Sequence, residues 1–329
     1  MLKTLLIGLG KIACGYDKKS DNIIRTHLKG YLNNNNFQVC CVLDNDIKKA
    51  KEVSKYWDIK SYHDNIENLK GKRIDIISIC TPDDTHSFYL RKCLKLNPKA
   101  VFCEKPLSLK ISDAKEIIAE YNKKNILLAI NYSRRWITEI CKLKERINKN
   151  NFGRIISARL KYYDGFLHNG SHLFDLLIYL LRPGLIHSIK TNRKKSNNLH
   201  DTNFSAMCNF ASNSGNFTLM VEGYQESIVT PLELELIFDR VKIIIEEKNG
   251  TRILYSYLKE NTIYPGYYEF SNVKKVEIDS SSAMVNAIQN IAEAVLNGKY
   301  LLSDGDSAFR TLKLCFQIYK SPEIKLWQS

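Results

Sequence analysis

The sequence contains no stretch of about eighteen consecutive apolar residues, which excludes a membrane-spanning helix. The apolar run at its start, around Leu5-Leu6-Ile7, is only about six residues long and is interrupted by Lys11, too short for the core of a signal peptide. There is no Cys-x-x-Cys pair. The nine cysteines are odd in number, Cys40 and Cys41 are neighbours that do not easily bridge, and Cys80, Cys103 and Cys208 stand in apolar runs as small hydrophobes. A disulfide framework is therefore excluded, and a reducing, cytoplasmic setting is expected. No internal repeat is present, and Asn33 to Asn36 is a low-complexity patch that reads as a loop. The net charge of +14 comes without an RNP-type aromatic stripe or zinc-finger spacing, and its lysines are spread over solvent-facing helical contexts such as Lys48, Lys49, Lys51 and Lys55. It argues for steering of anionic small molecules rather than for nucleic-acid binding.

What is present is an ordinary globular composition, 44% hydrophobic and 26% charged, over 329 residues, long enough for two domains whose cores need neither disulfides nor a structural metal. The first third alternates short apolar runs with helical patterns. Thr4-Leu5-Leu6-Ile7 reads as a buried strand, Gln38 to Leu43 as a second, Ile74 to Cys80 as a third, Ala100 to Cys103 as a fourth and Ile126 to Ile130 as a fifth. Helical stretches at Ile47 to Tyr56, His86 to Leu96 and Ser112 to Lys123 separate them, the signature of βαβ units and a parallel sheet. Beyond residue 150 a strand from Ile155 to Tyr163 precedes an apolar helix from Ser171 to Leu181, stopped by Arg182-Pro183-Gly184. Extended runs then follow at Phe204 to Phe210, Asn216 to Val221, Leu232 to Phe238, Val241 to Ile245 and Ile253 to Tyr257. Asn213-Ser214-Gly215 and Lys248-Asn249-Gly250 mark hairpins of a mostly antiparallel sheet, and helices near Ser282 to Leu296 and Ser303 to Ile318 close the chain. The expected fold is α/β: a doubly wound Rossmann domain over 1–123, then an α+β domain with a large antiparallel sheet over 124–329.

Gly8-Leu9-Gly10-Lys11-Ile12-Ala13 is a GxGxxA between a strand and an expected helix. Gly8 permits the tight turn, Gly10 lets the backbone approach a pyrophosphate, small Ala13 allows close packing, and the helix start offers N–H donors to phosphates. Asp44, ending the second strand, would accept the adenosine ribose hydroxyls and favours NAD over NADP, although Lys48 and Lys49 leave room for a 2′-phosphate. The long gap from Gly8 to Asp44 implies a loop from Gly15-Tyr16-Asp17 to Arg25.

Further motifs stand at the C-terminal ends of the later strands, where open α/β sheets bind ligands. They are Thr81-Pro82-Asp83-Asp84-Thr85-His86, Glu104-Lys105-Pro106-Leu107 and Asn131-Tyr132-Ser133-Arg134-Arg135-Trp136, with His168-Asn169-Gly170-Ser171-His172-Leu173-Phe174-Asp175 opening the later helix. In this order the set resembles the glucose–fructose oxidoreductase / inositol dehydrogenase (Gfo/Idh/MocA) family over essentially the whole chain. The resemblance implies NAD(P)-dependent oxidation or reduction at a carbon of a sugar, cyclitol or sugar derivative, and dimers or tetramers through the open sheet. It implies that Lys105 is the central active-site lysine, that Glu104 contacts the nicotinamide ribose, and that Pro106 follows a cis bond. It also implies that Thr81, Pro82 and His86 line the cofactor and that His172 is the acid/base group.

One departure stands out. Many polyol-oxidising members carry an Asp four residues before that histidine, and this chain has His168 there. The two histidines share a face only if the helix already includes His168, and the carboxylate that would orient the base is missing. An imidazole, ordinarily titrating at about pH 6.5, suits a base for the hydroxyl proton, and a lysine ammonium suits the developing alkoxide. Arg134 and Arg135 would hold an anionic substrate group bidentately, the alternative for each being a pairing with a carboxylate of the fold. Tyr132, His168 and Asn169 are further substrate contacts, while His27, His63, His187 and His200 read as structural or solvated. No metal site is expected. The leading reading is an NAD-dependent dehydrogenase of a sugar or sugar derivative, possibly phosphorylated or nucleotide-linked; the alternatives are a non-catalytic cofactor-binding sensor and a reductase of a C=N or C=C bond.

Overall fold

The computed structural model describes residues 1–191, 194–195, 201–224, 230–247 and 250–324. Two sequence positions singled out above, His200 and the Lys248-Asn249 pair, lie outside them. The chain forms two compact units, Met1–Trp136 with Ser281–Leu312, and Ile137–Ser280 with Lys313–Ser329. The expected break at 123/124 falls inside the first unit, and the chain's return explains why. Trp136 donates its indole N–H to Asn290 (3.0 Å), and Asn286 donates to the Trp136 carbonyl (2.8 Å). A helix of the closing segment thereby completes the first unit's core.

The first unit is built on strands β1 (Leu2–Ile7), β2 (Phe37–Leu43), β3 (Tyr62–His63), β4 (Ile76–Ile79), β5 (Ala100–Cys103) and β6 (Leu127–Ile130), in the spatial order β3-β2-β1-β4-β5-β6. All pairings are parallel. Strands covered on both faces read as continuous apolar runs, and β4 and β5 are buried at every residue. Helices α1 (His27–Leu32), α2 (Ile47–Trp57), α3 (His86–Cys93) and α4 (Ile111–Lys123) connect the strands. Capping explains α2: Asp46 accepts from the N–H groups of Lys48 and Lys49, and Asp58 ends it in a left-handed conformation. The helix expected directly after the glycine motif is instead a wide turn, Lys11–Gly15, of five residues. The chain then loops to α1, pinned by buried Asp17, which accepts from the N–H groups of Arg25 (2.9 Å) and Thr26 (2.8 Å) and from the Thr26 hydroxyl.

The second unit opens with α5 (Thr138–Asn148), a helix not read from the sequence, then β7 (Ile155–Tyr163) and α6 (Ser171–Leu181). The strands β8 (Gly184–Thr191), β9 (Lys194–Lys195), β10 (Thr202–Asn203), β11 (Ala206–Ser212), β12 (Gly215–Tyr224), β13 (Glu233–Phe238), β14 (Val241–Glu247), β15 (Thr251–Glu260), β16 (Tyr268–Ile278) and β17 (Glu323–Ile324) follow. Nine of the strands form one sheet in the order β16-β15-β14-β13-β7-β12-β11-β8-β17. It is mostly antiparallel, as expected, with two parallel pairs, β12 with β7 and β17 with β8. The hairpin expected at Asn213-Ser214-Gly215 is present, Ser212 standing opposite Gly215. The closing helices are α7 (Ser282–Asn297) and α8 (Gly305–Tyr319). Among the described residues no helix is long and apolar enough to cross a membrane.

Candidate active site

In the first unit the C-terminal ends of β1, β2 and β4 enclose a cavity of about 520 Å³. Gly8, Gly10, Lys11, Ile12, Asp44, Thr81 and Pro82, picked from the sequence as cofactor contacts, line it, with Lys49, read there as room for a 2′-phosphate, and Tyr16, Asn45, Thr85 and Tyr89, which were given no such role. The two motif glycines have different physical tasks. Gly8 has φ +80°, and a Cβ there would lie 2.8 Å from the Cys80 carbonyl carbon and oxygen. Gly10 has an ordinary φ of −72°, and a Cβ there would meet nothing within 4 Å. The first glycine lets the chain pass β4, and the second keeps the cavity open. Ala13 is fully buried beneath the turn.

Asp44 is nearly buried. Its Oδ2 accepts the Leu9 N–H at 2.8 Å, its Oδ1 accepts the Asp46 N–H at 3.1 Å, and Lys49 Nζ lies 3.1 Å from Oδ2. The carboxylate thus ties the glycine loop to the end of β2 while standing on the cavity wall. Lys49 joins it there; Lys48 does not.

A second group of polar residues gathers at the ends of β4, β5 and β6. Glu104 Oε1 accepts from His27 Nε2 (2.9 Å) and from Asn131 Nδ2 (2.6 Å), and His27 Nδ1 meets Ser78 Oγ at 2.7 Å. His27 is fully buried, and its ring packs on Phe102 at 4.5 Å. Burial pushes the Glu104 carboxyl up, but the bond and charge of His27, the Asn131 amide and the Lys105 charge outweigh it, so the net shift is downward. The Asn131 amide orientation follows from chemistry, since the carboxylate needs the NH2 group as donor. Its Oδ1 is left buried without a partner. Half-buried Lys105 follows Glu104, and the Lys105–Pro106 peptide bond is cis.

Three expected site residues are buried. His86 is fully buried, with Nδ1 at 2.6 Å from the Pro106 carbonyl and Nε2 at 2.9 Å from the Thr81 carbonyl. It ties two motif loops together and does not line the cavity. Arg135 is 2% exposed and donates to Ser307 Oγ (2.6 Å) and the Leu302 carbonyl (3.4 Å). Tyr132 is buried beside the Arg135 guanidinium. Arg134 is half-buried.

In the second unit His172 is half-buried in the first turn of α6, and His168 and Asn169 lie in the wide turn Phe166–Gly170 before it. His168 stands in this wide helical turn, which runs directly into α6 at Ser171. The turn is anchored from below by a residue the sequence reading did not single out, Asp201, whose Oδ2 accepts the His168 N–H at 2.8 Å. Among the remaining histidines, His63 meets Ser61 Oγ at 2.8 Å and His187 is exposed.

Residues 2–132 match the model of an oxidoreductase family with an NAD-binding Rossmann fold, Gfo/Idh/MocA. Those residues carry the NAD-binding domain of the Gfo/Idh/MocA oxidoreductases. A myo-inositol 2-dehydrogenase of Thermotoga maritima is 30% identical over 136 residues, 37% of this chain and 40% of that protein. A trans-1,2-dihydrobenzene-1,2-diol dehydrogenase of Sus scrofa is 28% identical over 156 residues, 44% of this chain and 46% of its own length. The matched stretch is therefore less than half of either relative. The whole fold is shared more widely: a UDP-N-acetylglucosamine 3-dehydrogenase from Acidithiobacillus ferrooxidans superposes with a TM-score of 0.74 at 16% identity, covering 98% of this chain and 97% of that one.

The cavity has the features a dinucleotide needs: Gly10 leaves open space, the turn Lys11–Gly15 presents its first N–H groups, and the Asp44 carboxylate stands on the wall at the end of β2. The orphaned Asn131 Oδ1 is an acceptor suited to a hydroxyl or carboxamide donor. His27 and Asn131 reach Glu104 across 77 and 27 residues of sequence, and no spacing rule signals such contacts.

Proposed function

We propose that this chain is an NAD-dependent dehydrogenase acting on a carbinol carbon of a sugar or sugar derivative, with a phosphorylated or nucleotide-linked substrate. The observation that carries the reading is the cavity at the ends of β1, β2 and β4, with open Gly10 and the Asp44 carboxylate on its wall. A bound nicotinamide supplies the carbon that exchanges hydride with the substrate. Lys105, as an ammonium, stabilises the alkoxide, and His172 takes the hydroxyl proton, or returns it in the reductive direction. Glu104, ionised and held by His27 and Asn131, orients the nicotinamide ribose and keeps a negative charge beside Lys105. Asp44 favours NAD, its pairing with Lys49 notwithstanding. The anionic substrate is supported by the +14 charge and by Arg134, Arg135 being committed to the fold. Nine free thiols fit a reducing compartment such as the cytoplasm.

The test is binding of NAD(H) and NADP(H), followed by a turnover screen on free, phosphorylated and nucleotide-linked sugars. NAD(H) is expected to bind more tightly than NADP(H), with turnover of anionic sugars over their neutral parents. Binding without turnover of any of them would favour the sensor, and no binding would overturn the reading.

We also propose that the open face of the large sheet forms a homodimer or homotetramer. The strand registers align Ile189, Met207, Met220, Arg159, Glu235, Ile244, Leu254 and Lys275 as one row across eight neighbouring strands. Met207 and Met220 are each 42% exposed on it. A row that is apolar on both sides of a central Arg159 and Glu235 suits burial against a copy of itself. Light scattering should give a multiple of the 38.0 kDa chain mass, and a Met207→Glu/Met220→Glu variant should shift it to the monomer. A monomeric parent protein would remove the proposal.

A further inference from the structure

The turn Phe166–Gly170, which carries His168 into the start of α6, contains no acidic residue of its own, yet it is built around a carboxylate. Asp201 reaches it from 33 residues downstream and is 7% exposed. Its Oδ2 accepts the His168 N–H and its Oδ1 accepts the Thr202 N–H, both at 2.8 Å, and the Leu167 N–H also bonds to the carboxylate. Gly165, at φ +98°, yields its side-chain space to this group, since a Cβ there would fall 2.4 Å from Asp201 Oδ2. The Gly165 N–H in turn donates to Asn203 Oδ1 at 2.9 Å. Residues 201–203 are thus the mould on which the histidine turn is shaped.

A neutral residue would shape a turn at lower cost, because burying a carboxylate forfeits its hydration. Burial raises the Asp201 pKa; the N–H groups of His168, Thr202 and Leu167 and the charge of His168 act against that rise. The titratable groups around it are His168 on the turn, Tyr162 on β7 and Cys315 on α8, with buried Asp175 on α6 acting on the same Cys315 thiol. Of these, His168 is the group whose protonated form would answer the carboxylate.

We propose that Asp201 is the positioning carboxylate of the His168–His172 segment: it sets the turn that leads into α6 and places a carboxylate beside His168. This deepens the dehydrogenase reading and rests on it for its catalytic consequence. In that reading Asp201 shapes, from a separate segment of the chain, the turn in which the sequence carries His168 rather than an acid.

The test is a histidine side-chain NMR titration of the full chain, with His168 assigned by H168Q, comparing the parent protein with D201N. Loss of the neighbouring negative charge should lower the His168 pKa by about one unit. In kinetics, D201N should lower kcat by about tenfold with little change in KM and should move the acidic limb of the pH profile, which a purely structural role would leave in place. A folded D201N with an unchanged His168 titration overturns the proposal. If D201N does not fold, the parent protein decides: the Asp201 carboxyl carbon shift must respond to the His168 titration, and its failure to do so overturns the proposal equally. The titration needs no substrate, so absent turnover in the parent protein would sink the dehydrogenase reading alone.

Discussion

Replacing Lys105 with alanine is expected to lower kcat by about a thousandfold, within the range assigned to a positioned acid/base group acting together with charge stabilisation. The residue stands at the C-terminal end of β5, between Glu104 and a cis-linked Pro106, half-buried rather than swept into solvent. Its charge is one of the influences that hold the Glu104 carboxyl low, so the ammonium and the carboxylate stabilise each other. The walls of the nucleotide cavity belong to other residues, among them Gly8, Gly10, Asp44 and Thr81. NAD(H) affinity should therefore stay within about threefold while turnover collapses, the pattern of an interaction made in the transition state. Equilibrium binding and steady-state kinetics on the same preparation measure both. Unchanged kcat in a folded Lys105→Ala protein would remove Lys105 from the chemistry.

The two motif glycines should fail in opposite ways. Gly8→Ala places a methyl group 2.8 Å from the backbone of Cys80, in a strand-end segment that cannot yield, and forces an L-residue to φ +80°. The left-handed backbone costs roughly 1–2 kcal/mol and overpacking typically 1–3 kcal/mol, so a stability loss of about 2–5 kcal/mol is expected. Gly10→Ala meets no atom within 4 Å and has an ordinary φ, so its thermal midpoint should match the parent's. Its methyl group instead projects where a pyrophosphate would approach, and NAD(H) affinity should fall about tenfold or more. Melting curves with and without NAD(H) separate the cases. A Gly10→Ala protein that binds NAD(H) as tightly as the parent would mean that the pyrophosphate lies elsewhere.

The same contrast shows how far sequence reasoning reaches. Gly8, Gly10 and Asp44 were legible because a strand, a turn and an acid at the next strand's end follow one another along the chain in a pattern set by local geometry. Arg135 was not, because an arginine after a strand looks the same whether it faces a substrate or, as here, Ser307 and the Leu302 carbonyl. His27 read as structural or solvated, and its position beneath Glu104 emerged only when α1 was laid against the ends of β4 and β5. Strand β16 escaped notice for a different reason. Its Tyr-Glu-Phe-Ser-Asn-Val-Lys-Lys-Val-Glu-Ile sequence carries the polar residues of an outer strand, so the apolar alternation is weak.

By itself, then, the sequence determined the order of elements, the parallel and mostly antiparallel sheets, and the strand ends where the motifs stand. Those properties arise from short-range periodicity and turn chemistry, which neighbouring residues encode. The tertiary structure alone decided which polar residues meet. It joined Asp201 to the histidine turn, His27 to Glu104 and the closing helix α7 to the first unit, because a buried polar group must find its partner wherever the packed chain brings one within hydrogen-bond reach.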